Sequence, residues 1–509
     1  MTLSHTRKNA LALAAVCLGS LMFGLEISSV PVILPTLEDV LHGSFKDMQW
    51  IMNAYTIACT TVLMATGTLA DRFGRKRILV IGIALFGITS LMCGLAPGMG
   101  VLIASRFLQG ASGGVMLICQ VAVLSQQFQE GKERSRAFGV WGIVFGIGLG
   151  FGPVVGGMIV ALSSWQWVFL IHAVLAVLTL ALVFCGVQES SDPQAGKLDI
   201  AGIVTLSLSV FGLTYFITQG PELGIDSAGG IGVVAAAVLS FLAFIVAEKI
   251  SPRPMFDFSV FRSRRFSGAL LGSVGMNFSF WPFMIYLPIY FQAGLGYDSV
   301  TAGLALLAYT LPTLVLPPLG ERLAARYQPG IAIPFGLFTI GLGFILMKVG
   351  SGAAGASWLT MLPGCLLAGI GLGLTNTPVT NTATASVPGN RAGMASGIDM
   401  SARMITLAIN IALMGLILVA GILSHLKTRL PLSFDPQALR HLGERVAAGN
   451  VAALEQGFPE LSRLDPSGSA VHAALLHGFG WVLLYGGIGV WMLAAMSFLI
   501  FRGAPAQGK

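Results

Sequence analysis

The 509-residue chain is 55% hydrophobic and only 10% charged, with a formal charge of +7. A soluble domain carries about 25% charged residues, and a disordered chain is rich in charge and poor in apolar side chains, so neither class fits. A polytopic membrane protein does fit, and its basic excess then reports orientation in a bilayer rather than affinity for nucleic acid.

A span needs about 20 mostly apolar residues. Charge-free stretches, cut at Gly, Pro and polar breaks, predict fourteen helices, at 10–35, 49–70, 78–96, 99–123, 136–161, 166–187, 199–219, 230–248, 267–293, 300–320, 329–349, 356–378, 392–423 and 473–501. The run 137–188 holds no Asp, Glu, Lys or Arg and is too long for one helix; Ser163-Ser164-Trp165-Gln166 marks its turn. The apolar run after Arg7-Lys8 is too long for a signal peptide. The fold class is therefore an all-α polytopic membrane protein. An even number of spans puts both termini on one side. The Lys and Arg gather in the tails and in the loops after even-numbered spans, which assigns that side to the cytoplasm.

Ionisable residues inside spans are costly and are functional candidates by default. Glu26 in the first helix and Arg106 in the fourth both lie roughly 12–14 Å below the outer end, at 1.5 Å per residue. Matched depth permits a direct or water-bridged interaction. Such a carboxyl can load and release a proton as its surroundings wet and dry; the alternative is a permanent ion pair that fixes packing. Asp399 and Arg403 in helix thirteen share a face by their i, i+4 spacing. They form a second proton or cation site or a self-neutralised pair, and both readings stay open.

Aromatic side chains with an acid nearby suit lipophilic cations. Trp50, Asn53 and Tyr55 on helix two, and Asn277, Phe280, Trp281 and Tyr286 on helix nine, are the candidate substrate contacts. In the long loop 424–472, Asp435-Pro436 can start a short helix with Leu439, Leu442 and Val446 on its apolar face, lying on the membrane surface or over the outer vestibule. The six cysteines sit in apolar runs without metal-ligand spacing and read as small buried hydrophobes. No phosphate-binding Gly-x-x-x-x-Gly-Lys-Ser/Thr loop and no His-Glu-x-x-His helix occurs, which disfavours an ATP-driven pump and a metalloprotease.

Gly67-Thr68-Leu69-Ala70-Asp71-Arg72-Phe73-Gly74-Arg75-Lys76-Arg77 follows the second helix, and Gly320-Glu321-Arg322-Leu323-Ala324-Ala325-Arg326-Tyr327 echoes it after the tenth. The first segment resembles the loop 2–3 signature of the major facilitator superfamily. Residues 101–114, with Arg106, Gln109, Gly110 and Gly114, resemble its fourth-helix signature, and 148–157 its fifth-helix antiporter signature. With fourteen spans and the segments 49–55, 165–169 and 391–397, the whole chain resembles the drug:proton antiporter-2 family, of the EmrB/QacA type. The resemblance implies two six-helix halves, 1–188 and 267–509, with two inserted helices in 189–249 and a cytoplasmic linker at 250–266. It implies a latch at Gly67, Asp71, Arg72, Gly74, Arg75 and Lys76 that holds the halves in one state. It also implies an exporter signature at Gly148, Gly152, Pro153, Gly156 and Gly157.

The function implied is proton-driven export of amphipathic, cationic drugs or biocides by alternating access, in the inner membrane of a bacterium. The partners are then protons, small-molecule substrates and the bilayer. The proton gradient serves in place of a cofactor, and the chain acts as a monomer, a periplasmic adaptor being left open. The rivals are an exporter of a native metabolite or siderophore and a non-transporting sensor or scaffold. Three departures stand out: Glu26 where the family usually has Asp, His172-Ala173-Val174 where it has Asn-x-Pro, and a second loop signature without its Asp.

Overall fold

A computed structural model describes residues 5–43, 45–128, 131–191, 199–224, 227–251, 258–353, 355–387, 392–429, 436–447, 465 and 468–502. All regular structure among them is helical: α1 (His5–Leu41), α2 (Phe45–Phe73), α3 (Arg75–Gly94), α4 (Met99–Gln127), α5 (Gly131–Leu162), α6 (Gln166–Gly186), α7 (Ile200–Leu223), α8 (Ala228–Ile250), α9 (Arg264–Ile289), α10 (Ser299–Thr310), α11 (Pro312–Val315), α12 (Pro317–Tyr327), α13 (Pro329–Ser351), α14 (Trp358–Ala385), α15 (Ala392–Arg429), α16 (Pro436–Ala447) and α17 (Ser469–Arg502). A 3-10 turn at Phe258–Arg262 leads into α9 and a π-helical turn at Tyr290–Gly294 ends it.

Twelve helices among the described residues are long and apolar enough to cross a membrane. The α10–α12 segment adds a thirteenth as a pair bent by 47°, and α2, apolar over Trp50–Leu63, stands at the second predicted span. The tenth span is thus broken where the sequence suggests one helix. Pro312, Pro317 and Pro318 each remove a backbone donor there and force the kink. Helix α1 overruns its expected end at Pro35, because Leu37 continues into a fully buried cluster with Ile51 and Phe169.

The apolar core falls into separate clusters. Phe23, Tyr55, Phe86 and Met116 pack among the first six helices, with Val30, Leu37, Ile51 and Trp165 beyond them. Phe266, Phe283, Tyr309, Phe344 and Phe479 pack across α9 to α17. Helices α7 and α8 are peripheral, with only 22% and 17% of their apolar windows buried, against 72% for α4. Helix α7 touches both α2 and α15. The short helix α16 leans on α15: Leu442 and Val446 are fully buried, and a Cβ at Gly443 would stand 3.0 Å from side-chain carbons of Val419 and Leu423. Asp435 and most of loop 424–472 lie outside the described residues, as do parts of the 250–266 linker. Of the cysteines, Cys185 is exposed and the other five are buried.

Candidate functional site

The site begins with a helix contact that side chains would forbid. A Cβ at Gly148 would stand 2.8 Å from Leu21 O, and one at Gly156 2.9 Å from Ser29 Cβ. A Cβ at Gly152 would fall on Ser28 Oγ. Ser28 Oγ instead donates to the carbonyls of Gly24 and Gly148, at 2.8 and 3.0 Å. Helices α1 and α5 therefore meet backbone to backbone around Glu26. The other side of α5 meets α10 and α11: Thr310 Oγ1 donates to Gly150 O at 3.2 Å, and Gly303 lies against Pro153. Gly157 is buried in the same helix.

Glu26 and Arg106 are both fully buried and form a direct ion pair. The guanidinium has two of its three nitrogens held, while Nη2 has no hydrogen-bond partner among the described residues. Its Nε donates to Ile51 O at 3.1 Å and its Nη1 to Gln109 Oε1 at 2.7 Å, and it stands 4.4 Å from the Tyr55 ring centroid. Gln109 donates in turn to Ser90 Oγ at 2.8 Å and accepts from Cys93 Sγ at 3.4 Å. The glycines of the fourth-helix signature make this arrangement possible: a Cβ at Gly110 would overlap Tyr55 O, so α2 and α4 touch and Tyr55 slides beneath Arg106. His172 on α6 completes the group, its Nδ1 3.3 Å from Glu26 Oε2. Burying charges is costly, and a pair so enclosed is kept only where each member is compensated.

Asp399 and Arg403 form the second polar node. Asp399 is fully buried, accepts from Ser273 Oγ on α9 and pairs with Arg403 Nη2 at 3.0 Å. Arg403 reaches α14 as well, donating to Asn376 Oδ1 at 2.7 Å and to Thr380 Oγ1 at 2.8 Å. The i, i+4 pair thus ties three helices together. Arg391 and the side chains of 392–394 lie outside the described residues.

At the loop between α2 and α3, Gly74 adopts φ 106°. The Glu189 carboxylate accepts from the amides of Lys76 and Arg77, both at 3.1 Å, and so caps the start of α3. Arg75 N donates to Ser190 O at 2.9 Å, Arg75 Nη1 to Gln126 Oε1 at 2.9 Å, and Lys76 Nζ to Phe184 O at 3.3 Å. Arg72 is exposed, its guanidinium 5.3 Å from the Phe73 ring centroid, and Gly67 faces Ile118. The Asp71 side chain lies outside the described residues. The bonds described for the latch residues stay within the first six helices and the segment after them.

The aromatic candidates divide. Trp50 faces α7, 5.9 Å from the Tyr215 ring, while Asn53 is buried in α2. Phe280 is buried and stacked on Tyr309 at 4.1 Å, Trp281 stands edge-on to Phe280 at 5.3 Å, and the Tyr286 hydroxyl donates to Ile411 O on α15. Asn277 Nδ2 donates to Ser273 O at 3.0 Å, beside the Asp399 node. Sequence reasoning left Glu189, Ser273, Asn376 and Thr380 unassigned and noted His172 only as a departure. Their roles come from contacts between distant segments, which leave no spacing to read.

The description Major Facilitator Superfamily matches residues 16–411. The chain is 30% identical over 436 residues to the multidrug resistance protein Stp of Mycobacterium tuberculosis, covering 86% of this chain and 81% of that one. It is 28% identical over 505 residues to the tetracenomycin C resistance and export protein of Streptomyces glaucescens, covering 97% and 92%. It is 29% identical over 415 residues to the quinolone resistance protein NorB of Staphylococcus aureus, covering 79% and 87%. The crystal structure of the human organic anion transporter MFSD10 (TETRAN) aligns over 98% of this chain and 100% of that one, with a TM-score of 0.62 and 14% identity, a likeness of fold alone. From the family match and these relatives, the chain belongs to the major facilitator superfamily.

Proposed function

We propose that the chain is a secondary active exporter that exchanges inward-moving protons for outward-moving amphipathic, cationic drugs or biocides. Three relatives are named for drug resistance or export, which supports drugs as the cargo. The observation that carries the coupling is the fully buried Glu26 carboxylate held by Arg106. The group changes its proton content when alternating access wets one side of it and then the other. Each net positive charge carried inward per cycle adds about 2.3 kcal/mol per 100 mV to the driving force, which requires more protons in than cationic charges out. The Lys- and Arg-rich face that carries both termini is the cytoplasmic one, in the inner membrane of a bacterium. Residues 1–188 and 267–509 act as the two moving halves, with 189–249 added to them, and a single chain suffices. The protein needs no cofactor and performs no covalent chemistry.

The test is transport into proteoliposomes under an imposed pH gradient, with ethidium as a lipophilic cation. Wild type accumulates the probe, and Glu26→Gln abolishes accumulation while leaving binding. Accumulation that survives Glu26→Gln removes the assignment. A second reading, export of a native metabolite, is favoured by the near-complete alignment with the tetracenomycin C exporter. It predicts that a neutral amphiphile is moved in preference to ethidium.

A further inference from the structure

His172 lies within α6 and is only 1% exposed. Each of its ring nitrogens faces an oxygen that can only accept. Nδ1 is 3.0 Å from Val168 O, and Nε2 is 3.1 Å from Met22 O on α1. A neutral imidazole carries one N–H and one lone pair, so it would satisfy one of these carbonyls and point a lone pair at the other. A half-turn of the ring would set two carbons against both oxygens and forfeit both bonds. Only the imidazolium donates to each. Its counter-ion is already present: Glu26 Oε2 is 3.3 Å from Nδ1 and has no hydrogen-bond donor among the described residues, while Oε1 is taken by Arg106.

One carboxylate therefore lies between two cationic groups, all three nearly or fully buried. The titratable and charged groups that approach His172 are few. Helix α1 brings Glu26, α4 brings Arg106 through Glu26, α3 brings Cys93 beside Gln109, and α2 brings Tyr55 beneath Arg106. Helix α5 carries no titratable side chain from 139 to 162. Phe86 meets the imidazole at a T-shaped angle, 5.9 Å between centroids.

We propose that His172 is a second proton-binding group, and that in the closed cluster the exchanged proton rests on its imidazole rather than on Glu26. The proposal builds on the reading of Glu26 as the coupling acid. A proton on Glu26 would leave Arg106 as a lone buried charge, whereas a proton on His172 leaves the Glu26–Arg106 pair intact. The loaded cluster holds Arg106 and His172 positive and Glu26 negative, a net charge of one. On unloading, the imidazole turns its Nδ1–H from Val168 O toward Glu26 Oε2, 3.3 Å away; the Nδ1–H bond then breaks and an O–H bond forms at Oε2. The remaining Nε2–H still donates to Met22 O, and the bare Nδ1 accepts from the new O–H. When the site wets, Glu26 gives this proton to water. The cluster is then neutral: Glu26 pairs with Arg106, and His172 is uncharged.

The full-length protein in lipid nanodiscs, labelled with nitrogen-15 histidine, reads the proton directly. The His172 signal is assigned by its absence in His172→Gln or, should that variant not fold, in His172→Asn. Wild type is expected to show two protonated ring nitrogens at neutral pH, and Glu26→Gln a single N–H tautomer. One bare nitrogen in wild type throughout about pH 5–8 overturns the proposal. In proteoliposomes, His172→Gln keeps a donor and an acceptor but binds no proton. It is expected to retain ethidium binding and ethidium exchange at equal pH, and to lose gradient-driven accumulation by about tenfold or more. Accumulation at the wild-type level overturns the proposal. A wild type that accumulates neither ethidium nor a neutral amphiphile under the gradient sinks the coupling role of Glu26 instead, and the nitrogen signals still decide where the proton sits.

Discussion

The carboxylate of Glu189 occupies the space that a side chain on Gly74 would fill: a Cβ there would stand 2.7 Å from its carboxyl carbon. Gly74 thus serves twice, adopting φ 106° and leaving room for the acid that caps α3. Glu189→Ala is expected to lower stability by about 1 kcal/mol, the usual worth of a helix cap. Gly74→Ala adds backbone strain of about 1–3 kcal/mol and evicts the carboxylate. Thermal unfolding in detergent checks both, and Gly74→Ala should be the worse. Equal melting temperatures for wild type and both variants would refute the capping account.

The α1–α5 contact predicts a rescue. Gly152→Ala drives a methyl onto Ser28 Oγ, and overpacking of this kind costs about 1–3 kcal/mol. Adding Ser28→Ala removes the struck atom and should restore part of the lost stability, although Ser28→Ala alone also forfeits the bond to Gly148 O. Thermal melts of the two single variants and the double variant decide the matter. A double variant as unstable as the sum of the singles contradicts the contact.

For Glu26 and Arg106, removing one partner strands the other at zero exposure. Glu26→Gln and Arg106→Gln should each destabilise by about 3–5 kcal/mol, and the double replacement by clearly less than their sum. A double-mutant cycle on unfolding in denaturing detergent measures the coupling. Additive effects would mean that the pair is not energetically joined.

Asp399 is gripped by Ser273 and Arg403, and Arg403 by Asn376 and Thr380. This clamp predicts that Arg403→Lys, which keeps the charge but loses the planar fork, weakens the packing of α9, α14 and α15 by about 1–2 kcal/mol. Asp399→Asn should lower stability while gradient-driven accumulation persists. Accumulation lost in Asp399→Asn, with folding intact, would instead make Asp399 a second proton site.

One pH effect lies outside the membrane. Asp298 caps α10, accepting from Thr301 N at 2.7 Å and from the Thr301 hydroxyl at 3.0 Å. The bond from the Thr301 amide, chiefly, holds its carboxyl below the ordinary value. A depressed folded value means that the cap is fully present above the unfolded value, about 3.9, and is lost as pH falls through the folded one. Asp298 should therefore protect the Thr301 amide from exchange fully near neutrality, and an Asp298-dependent acceleration should appear only in acid. The same acid response in Asp298→Ala would disprove it.

The helices were legible because apolar runs between charges are long and need no partner to be recognised. The matched depth of Glu26 and Arg106 permitted their meeting, since rise per residue converts position into height, but did not require it. Height does not fix azimuth, however. His172 sits at the right level in an unbroken apolar run, but nothing in that run says which face turns toward α1. The Glu189 cap was hidden for a related reason: it joins residues more than a hundred positions apart through backbone amides, which have no residue identity. The fracture of the tenth span was visible as three prolines, yet membrane helices often tolerate proline, so composition alone did not require the 47° bend.

Helix α5 has glycine against α1 on one side and against α10 and α11 on the other. Bare backbone offers few teeth to interlock, so the helix behaves as a smooth rail between two neighbours. Along these glycine faces a displacement of a few ångströms meets no side chain of α5 itself, and Phe145, stacked on Phe23 of α1, is the toothed exception. Bulk introduced on either flank would act as a brake, slowing turnover in proportion to its size even where the protein stays folded and still holds its cargo.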